Sequence, residues 1–192
     1  VEKSTGRLFF LYSKMLEYSR WSNSMKSYLT ALDDGSFMRV QYGSKINELL
    51  VEYYDKDYNL TGTKIIGKEL PVFGGFYATK DNYYVVTGEN NTDEDNTKEV
   101  YRITKYDKHW NKITSTGLTN CSTTKPFNAG SCRIDVSGNS MIIHTCHEMY
   151  KSDDGYNYQA NVTIQVDIDK MKITDSYTGV MDQRGSRILH NG

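Results

Sequence analysis

Proline and net charge are both scarce in this sequence. Two of the 192 residues are proline, and 23 Lys and Arg side chains oppose 24 Asp and Glu side chains, which leaves a formal net charge of −1. A nearly neutral chain creates no net field that would draw it to nucleic acid or to an anionic membrane. No apolar run approaches the roughly 18 residues that a membrane-spanning helix needs. The sequence therefore predicts neither a nucleic-acid partner nor a transmembrane segment.

Cysteine is also scarce, and its number is odd. The three cysteines are Cys121, Cys132 and Cys146. None belongs to a Cys-x-x-Cys pair of the kind that holds zinc. Cys121 and Cys132 lie on either side of a loop that contains proline and glycine, and this spacing permits a disulfide in an oxidising compartment. It equally permits buried free thiols, which are among the most commonly buried side chains. The sequence leaves both alternatives open.

What the chain does contain is a repeat. Residues 54–60 return as residues 106–112, and more weakly as residues 166–172. In each copy a run of strand-forming residues enters a polar turn with an aspartate, and a short second run leaves it. Repeats of about 40–50 residues built from short strands are typical of β-propeller blades. The abundance of tyrosine, 16 residues, fits a strand-built domain. We predict an all-β fold of antiparallel four-stranded blades, forming a β-propeller or a partial propeller.

Turn signals divide the chain into blades. Hairpin signals such as Asp33-Asp34-Gly35 begin the sets, and they predict a propeller-like domain over residues 28–192 with blades at 28–67, 74–118 and 129–178. Residues 1–27 are predicted to form an N-terminal strand or connector. A propeller ring closes with roughly four to eight blades. The chain is therefore a fragment of a larger propeller, or assembles with a copy of itself as a homo-oligomer, or is completed by its N-terminal residues. We favour the fragment.

An acidic and polar excursion over residues 89–98 interrupts the second blade. Clusters of short polar residues cannot bury themselves, so this stretch is predicted to be a solvated loop tip. A calcium-binding loop would need a twelve-residue spacing with a glycine turn and a terminal glutamate. The excursion lacks that spacing.

The densest functional chemistry lies in the third blade, over residues 144–150. Side chains alternate along a strand, so His144, Cys146 and Glu148 share one face. All three are metal-ligand types, and they are the candidate ligands of a structural divalent metal ion, the single cofactor that the sequence indicates. The alternative is a buried thiol between hydrogen-bonded polar side chains. With Ile142 in the same register and Tyr150 continuing the face, we expect this face to be the inner, mostly buried one.

The following turn resembles a known structural motif. Asp153, Gly155, Asn157 and Tyr158 are similar to the Asp-box of sialidase-like propellers, with Lys151 where serine is expected. In those families the box is a hairpin turn remote from the catalytic centre, so the resemblance implies a turn and no activity. Gly155 is expected to take a positive φ in that turn.

Three segments, residues 126–131, 144–150 and 152–161, resemble an uncharacterised family of secreted or surface-attached proteins of Gram-positive bacteria. The resemblance covers roughly residues 28–180. It implies a propeller-like region and a secreted or cell-surface location, and it carries no established activity.

These observations favour an extracellular binding or scaffolding module for a glycan or a cell-surface protein. The aromatic side chains suit stacking on sugar rings, and no recognisable catalytic arrangement is present. The predicted binding residues are His144, His147, Glu148, Tyr150, Asp153 and Asn157.

The alternative is a carbohydrate-active enzyme, a glycosidase or lyase of propeller type. In it Glu148 and Asp153 would act together with His144 or His147. Two carboxylates facing each other across a pocket at roughly 5–10 Å would favour this alternative. A purely structural spacer, the third class, predicts no pocket.

Overall fold

The computed structural model describes residues 27–42, 48–128 and 130–180, and within these ranges every regular element is a β-strand. The thirteen strands are β1 (Ser27–Ala31), β2 (Phe37–Tyr42), β3 (Glu48–Tyr54), β4 (Leu60–Gly67), β5 (Val72–Ala78), β6 (Tyr83–Gly88), β7 (Tyr101–Tyr106), β8 (Lys112–Leu118), β9 (Thr123–Pro126), β10 (Arg133–Ser137), β11 (Ser140–Lys151), β12 (Asn157–Asp167) and β13 (Lys172–Val180).

The strands form three antiparallel sheets, each made from consecutive strands. The first sheet has the order β1-β2-β3-β4, the second β5-β6-β7-β8, and the third β10-β11-β12-β13 with β9 as an additional partner of β11. Four-stranded meanders that follow one another along the chain are the blades of a propeller. The predicted fold class, all-β with antiparallel four-stranded blades in a partial propeller, is confirmed. The predicted connector over residues 1–27 lies outside the described residues except for Ser27, and the division into domains stays a prediction.

The first strand of the third sheet is divided, which the sequence did not indicate. Pro126 of β9 pairs with His147, and Arg133 of β10 pairs with His144, so both strands lie along the same edge of β11. The chain between β9 and β10 leaves the sheet and returns to it. This interruption places Phe127 in the second sheet, as described below.

The repeated aspartate explains why each blade turns where it does. The Oδ1 atom of Asp55 accepts the backbone N–H groups two and four positions ahead, at 2.9 and 2.8 Å. Asp107 accepts the equivalent two N–H groups, both at 2.8 Å. The side-chain amides of Asn59 and Asn111 also donate to these carboxylates and lower the pKa of both aspartates. One short acidic side chain therefore replaces the strand partners that the backbone loses in the turn.

The third copy of the turn uses the same carboxylate with a different register. Asp167 accepts the N–H groups of the second and third residues ahead, at 3.1 and 3.0 Å. In all three copies the residue that closes the turn has a left-handed backbone: φ is 64° at Tyr58, 66° at Trp110 and 48° at Met171. These large side chains are thereby turned out of their own strand.

Two apolar layers join the three sheets. The layer between the first and second sheets is centred on Met38, Val40, Leu49, Val51, Phe76, Tyr83, Val85 and Trp110. The layer between the second and third sheets is centred on Tyr84, Val86, Tyr101, Ile103, Met141, Ile143, Val162 and Ile164. The second sheet is thus covered on both faces. The first and third sheets each have one further face, which is directed away from the second sheet and is here called the outward face.

Phe127 fills a slot in the second sheet that exists because two residues there are glycines. A Cβ atom added at Gly74 would lie 2.3 Å from the Phe127 ring, and one added at Gly88 would lie 2.8 Å from it. Phe127 itself has φ 57°, and its ring meets Tyr101 edge-on at 5.3 Å between centroids. The loop that interrupts the third sheet is therefore anchored in the second.

All three sheets meet at Tyr28, on the first strand of the first sheet. Its hydroxyl lies 3.4 Å from the carbonyl oxygen of Gly74 and 3.4 Å from that of Cys132. Cys121, Cys132 and Cys146 are free thiols, so the disulfide alternative is not realised. Burial raises the pKa of the Cys132 thiol to about 12, which keeps it protonated near neutral pH.

Candidate functional site

The two faces of β11 differ sharply in burial. Met141, Ile143, Thr145 and His147 are buried, whereas Ile142 is exposed and His144, Cys146 and Glu148 are half-buried. The buried set packs on the second sheet together with the apolar side chains of β12. The expectation that His144, Cys146 and Glu148 occupy the inner, mostly buried face is therefore wrong. They lie on the outward face of the third sheet.

The centre of that outward face is polar where the other sheets are apolar. Each sheet has one cross-strand pair that includes the residue four positions before the aspartate of the repeat. These pairs are Val40–Val51, Val86–Ile103 and His144–Thr163. In the first two sheets the pair points towards the next sheet in chain order, and in the third it lies on the outward face. The first two pairs are buried in the layers between sheets. The third is hydrogen-bonded, with 2.9 Å between His144 Nδ1 and Thr163 Oγ1. The third sheet thus lacks the apolar centre with which the other two sheets receive a neighbour.

Further polar pairs continue across this face. The Cys146 thiol donates to Asn161 Oδ1 at 3.4 Å, and Gln165 Nε2 donates to Ser140 Oγ at 3.1 Å. The second pair borders a shallow depression of about 300 Å³ whose lining residues are Ser137, Asn139, Ser140, Gln165, Asp167 and Thr174. The depression offers hydroxyl and amide groups on a face that has no further sheet packed on it among the described residues.

An exposed aromatic ring lies beside these groups. Tyr177 pairs with Thr163 across β12 and β13 and is 64% exposed. A Cβ added at Gly179 would come within 2.6 Å of the Tyr177 ring, so the ring rests against the bare backbone of that glycine. Asp175, two positions before Tyr177, pairs with Gln165 at the depression. Neighbouring side chains on one face of a strand are about 7 Å apart, so Tyr177 lies one such step along β13 from Asp175, with its ring on the side of Gly179.

Glu148 is held at the other end of the outward face. Its carboxylate accepts a hydrogen bond from Thr124 Oγ1 at 3.1 Å and one from Asn128 Nδ2 at 3.3 Å. Lys125 Nζ forms an ion pair with it at 2.9 Å. The carboxylate is positioned by β9 and by the loop that follows it, and its charge is compensated by Lys125.

His147 is placed where no ligand on the outward face can reach it. Its side chain is fully buried on the opposite face of β11, with Nδ1 2.6 Å from Thr123 Oγ1. Burial lowers the pKa of His147 to about 4, because the imidazolium form would lose its hydration. The inclusion of His147 among the binding residues is corrected: it is a neutral packing residue between the second and third sheets.

Tyr150 lies within a register shift between Glu148 and Lys151, and Asn157 pairs with Lys151 beyond that shift. Tyr150 Oη accepts a hydrogen bond from Asn91 Nδ2 at 2.8 Å, and Asn157 Nδ2 donates to the carbonyl of Met149 at 2.8 Å. Asp153 is exposed in the turn. These three predicted binding residues therefore belong to the hairpin end of the sheet and are separated from the depression by the length of β11.

The polar excursion in the second blade braces this hairpin. Asn91 is buried, and its backbone N–H donates to the carbonyl of Thr124 at 2.7 Å. Glu94 Oε1 accepts the N–H of Lys151 at 2.7 Å. Most of the excursion is exposed, as expected for a solvated loop, but Asn91 and Glu94 within it contact the third sheet. Composition alone did not indicate those contacts.

The turn between β11 and β12 has the expected backbone conformation, but the aspartate that accepts its hydrogen bonds is not the expected one. Gly155 has φ 86°, as predicted. Asp154, and not Asp153, accepts the N–H of Tyr156, at 3.1 Å, and also bonds the hydroxyl of Tyr158. Asp34 holds the N–H of the residue two positions ahead in the same way in the first sheet, at 2.9 Å and next to a glycine with φ 82°. The turn is thus a recurring element of this chain, with its aspartate one position later than the Asp-box comparison assumed.

The predicted metal ligands are not assembled. Within residues 27–42, 48–128 and 130–180, no group of three or more His, Cys, Asp and Glu side chains could hold a metal ion. His144, Cys146 and Glu148 instead bond separately to Thr163, Asn161 and the β9 segment. Successive side chains on one face of a strand diverge, so three ligand types in a row do not converge on one point.

Comparison with known proteins shows a distant structural similarity and no sequence relative. No protein-family model matches the chain, and no curated protein matches it. Among solved structures the chain is similar to a GH43 β-1,3-galactosidase determined with galactodeoxynojirimycin, with 16% sequence identity and a TM-score of 0.44. The similarity covers 83% of this chain and 46% of that one, so the chain spans about half the length of that structure. Family membership and a Gram-positive origin receive no support from these comparisons. Separately, no helix in the described part of the chain is long and apolar enough to cross a membrane.

Proposed function

We propose that this chain is a binding module and that its ligand, a glycan, binds to the outward face of the third sheet. The observation that carries the proposal is the polar His144–Thr163 pair at the position where the other sheets have Val40–Val51 and Val86–Ile103. A face built to receive another blade would keep an apolar centre there. A polar and half-exposed centre suits a ligand that exchanges its water for hydrogen bonds.

The side chains on this face match the chemistry of a sugar. A pyranose ring has an apolar side that stacks on an aromatic ring and an edge of hydroxyl groups that need donors and acceptors. Tyr177 supplies the exposed ring, and Gln165 with the hydroxyls of the depression supplies the polar partners. His144 and Glu148, two of the residues singled out by the sequence, extend the same face towards the hairpin.

A cell-surface or secreted location is part of the same proposal. It is supported by the resemblance of residues 126–131, 144–150 and 152–161 to surface-attached bacterial proteins. Immunodetection on intact and lysed cells tests it, and detection only after lysis would contradict it.

Glycan arrays followed by calorimetric titration test the site. Replacing Tyr177 with alanine removes the platform and should weaken binding by about tenfold, the equivalent of roughly 1.4 kcal/mol. Adding Gln165→Ala to Tyr177→Ala should weaken glycan binding further. Tyr156→Ala is the matched control, because Tyr156 is 69% exposed but lies in the hairpin turn, away from the depression.

Each outcome of the titration decides between hypotheses. If Tyr177→Ala and Tyr156→Ala bind the glycan equally well while both remain folded, the site is elsewhere. If arrays detect no glycan and only a surface protein is retained, the ligand class is wrong. If the bound glycan is cleaved, and Glu148→Gln abolishes the cleavage, the enzyme alternative replaces the binding module.

A further inference from the structure

Tyr58 has the same left-handed backbone as two buried residues that join neighbouring sheets, but no sheet among the described residues packs against it. Like Trp110, it lies three positions after the aspartate of its turn, whereas Met171 lies four positions after Asp167; all three residues have a left-handed backbone. Trp110 is 5% exposed and Met171 is 7% exposed, each within the layer that joins its sheet to the preceding one. Tyr58 is 67% exposed. The first sheet thus presents the anchoring side chain that the other two sheets bury.

The two buried anchors show what such a residue contacts. The Trp110 ring packs on Tyr83 and Phe76 of its own sheet, and its Nε1 donates to Tyr53 Oη of the preceding sheet at 3.0 Å. Tyr58 has the first kind of contact only: it stacks on Phe37 of its own sheet with 4.8 Å between ring centroids. A residue that would play the part of Tyr53 for Tyr58 is absent from the described strands.

On the outward face of the first sheet, the side chains at the centre are buried, whereas the apolar side chains around them are exposed. Leu50, at the centre of the outward face of the first sheet, is 2% exposed, although the second sheet packs on the opposite face. Beside it Glu52 Oε2 accepts hydrogen bonds from Arg39 Nε and Gln41 Nε2, both at 2.6 Å, and from Tyr54 Oη. The exposed apolar side chains around this centre are Leu29, Tyr58, Leu60 and Ile65. A central leucine on an open sheet face would remain accessible, so this face is built to be covered.

We propose that the segment N-terminal to Ser27 covers this face, with the apolar run at residues 8–12 packed against Tyr58 and Leu29. The segment lies outside the described residues, and its sequence there is Leu-Phe-Phe-Leu-Tyr. The 14 residues between Tyr12 and Ser27 can reach about 45 Å when extended, whereas a four-stranded sheet is about 15 Å across. In this proposal Tyr58 contacts the N-terminal run in the way that Trp110 and Met171 contact the apolar layer next to the preceding sheet.

A thermal double-mutant cycle in the full chain tests the contact. Tyr58→Ala should lower Tm by about 4 °C, and Tyr156→Ala, an equally exposed tyrosine in the hairpin turn, should change Tm by less than about 1 °C. Phe9→Ala and Phe10→Ala are made separately, because neighbouring side chains of an extended run point in opposite directions. The proposal therefore requires only one of the two side chains to contact the sheet. Combined with Tyr58→Ala, the variant of that side chain should lower Tm by clearly less than the sum of the two single effects.

Three results would overturn the proposal. Tyr58→Ala could prove as neutral as Tyr156→Ala, which would make Tyr58 an ordinary surface residue. Both N-terminal variants could be additive with Tyr58→Ala, which would separate the run from this face. Light scattering could reveal a dimer that Tyr58→Ala dissociates, which would assign the face to a second copy of the chain. Tyr58→Phe serves as the conservative variant and should keep the wild-type Tm to within about 2 °C.

Discussion

The indole Nε1 of Trp110 donates a hydrogen bond to the hydroxyl of Tyr53, at 3.0 Å, across the boundary between the second sheet and the first. Trp110 reaches this position because Asp107 holds its turn in a conformation with φ 66°. A local turn motif therefore determines a contact between sheets. The repeat that identifies the blades in the sequence is also a means of joining them.

Truncation of Trp110 should be among the most destabilising single changes in the chain. Trp110→Ala removes a buried indole from between three aromatic rings and is expected to lower the free energy of unfolding by about 3–5 kcal/mol. Tyr53→Phe removes the hydroxyl acceptor only and should cost about 1 kcal/mol. Urea denaturation of both variants measures the difference. Equal losses would show that the hydrogen bond, and not ring packing, dominates this joint.

The slot for Phe127 predicts a compensating pair of substitutions. Gly74→Ala places a Cβ 2.3 Å from the Phe127 ring and should destabilise the chain by about 1–3 kcal/mol. Gly67→Ala, where an added Cβ meets nothing within 4 Å, is the matched control and should be nearly neutral. In a Phe127→Leu background Gly74→Ala should lose much of its effect, because the clashing ring is gone. An undiminished effect would mean that the backbone of β5 itself requires glycine.

The burial of His147 predicts acid sensitivity in a defined pH range. Its pKa is lowered to about 4 in the folded chain, from about 6.5 in the unfolded chain. Between these values the unfolded chain binds more protons than the folded chain, so the free energy of unfolding falls as the pH drops. The expected loss from pH 7 to pH 4.5 is about 2–3 kcal/mol. The turn aspartates, whose pKa values are lowered, contribute their own loss only below about pH 4. Urea midpoints of wild type and His147→Gln over this range check the assignment; parallel curves would contradict it.

The hairpin turn of the third sheet should tolerate asparagine better than valine. Gly155 has φ 86°, a conformation that β-branched residues adopt only with strain. No neighbouring atom lies within 4 Å of an added Cβ, so the backbone alone sets the penalty. Gly155→Val is expected to lower stability by about 1–3 kcal/mol and Gly155→Asn by about half as much. Thermal melts that do not separate the two variants would show that the turn relaxes to another conformation.

The fold class could be predicted from the sequence because the turns between the strands depend on local chemistry. Asp55 and Asp107 fold their turns through backbone groups within four residues, and such a pattern is visible without tertiary information. The division of the first strand of the third sheet was not visible, because it depends on the Phe127 ring and on glycines of another sheet. Long-range packing of this kind leaves no periodic trace in one chain.

For the candidate site, the sequence could predict which side chains of β11 share a face, because that too depends on local geometry. Alternation along β11 correctly placed His144, Cys146 and Glu148 on one face and His147 on the other. It could not tell which face meets the second sheet, and the choice made from Ile142 was wrong. Comparison of cross-strand pairs at equal distance from each aspartate would have shown the polar centre at Thr163. Tyr177 was missed because its exposure depends on the outward face having no sheet packed on it among the described residues, which one strand's sequence does not indicate.

The position of Tyr28 has a consequence for the order of folding events. Strand pairing within each sheet joins neighbouring strands of the chain, apart from the pairing of β9 with β11, whereas the hydroxyl of Tyr28 and the carbonyl of Cys132 are 104 positions apart. Closing so long a loop has an entropic cost that early contacts do not offset, so each blade should form before the three are brought together at this point. Loss of the Tyr28 hydroxyl would then leave the folding rate unchanged and increase the rate at which the assembled blades come apart.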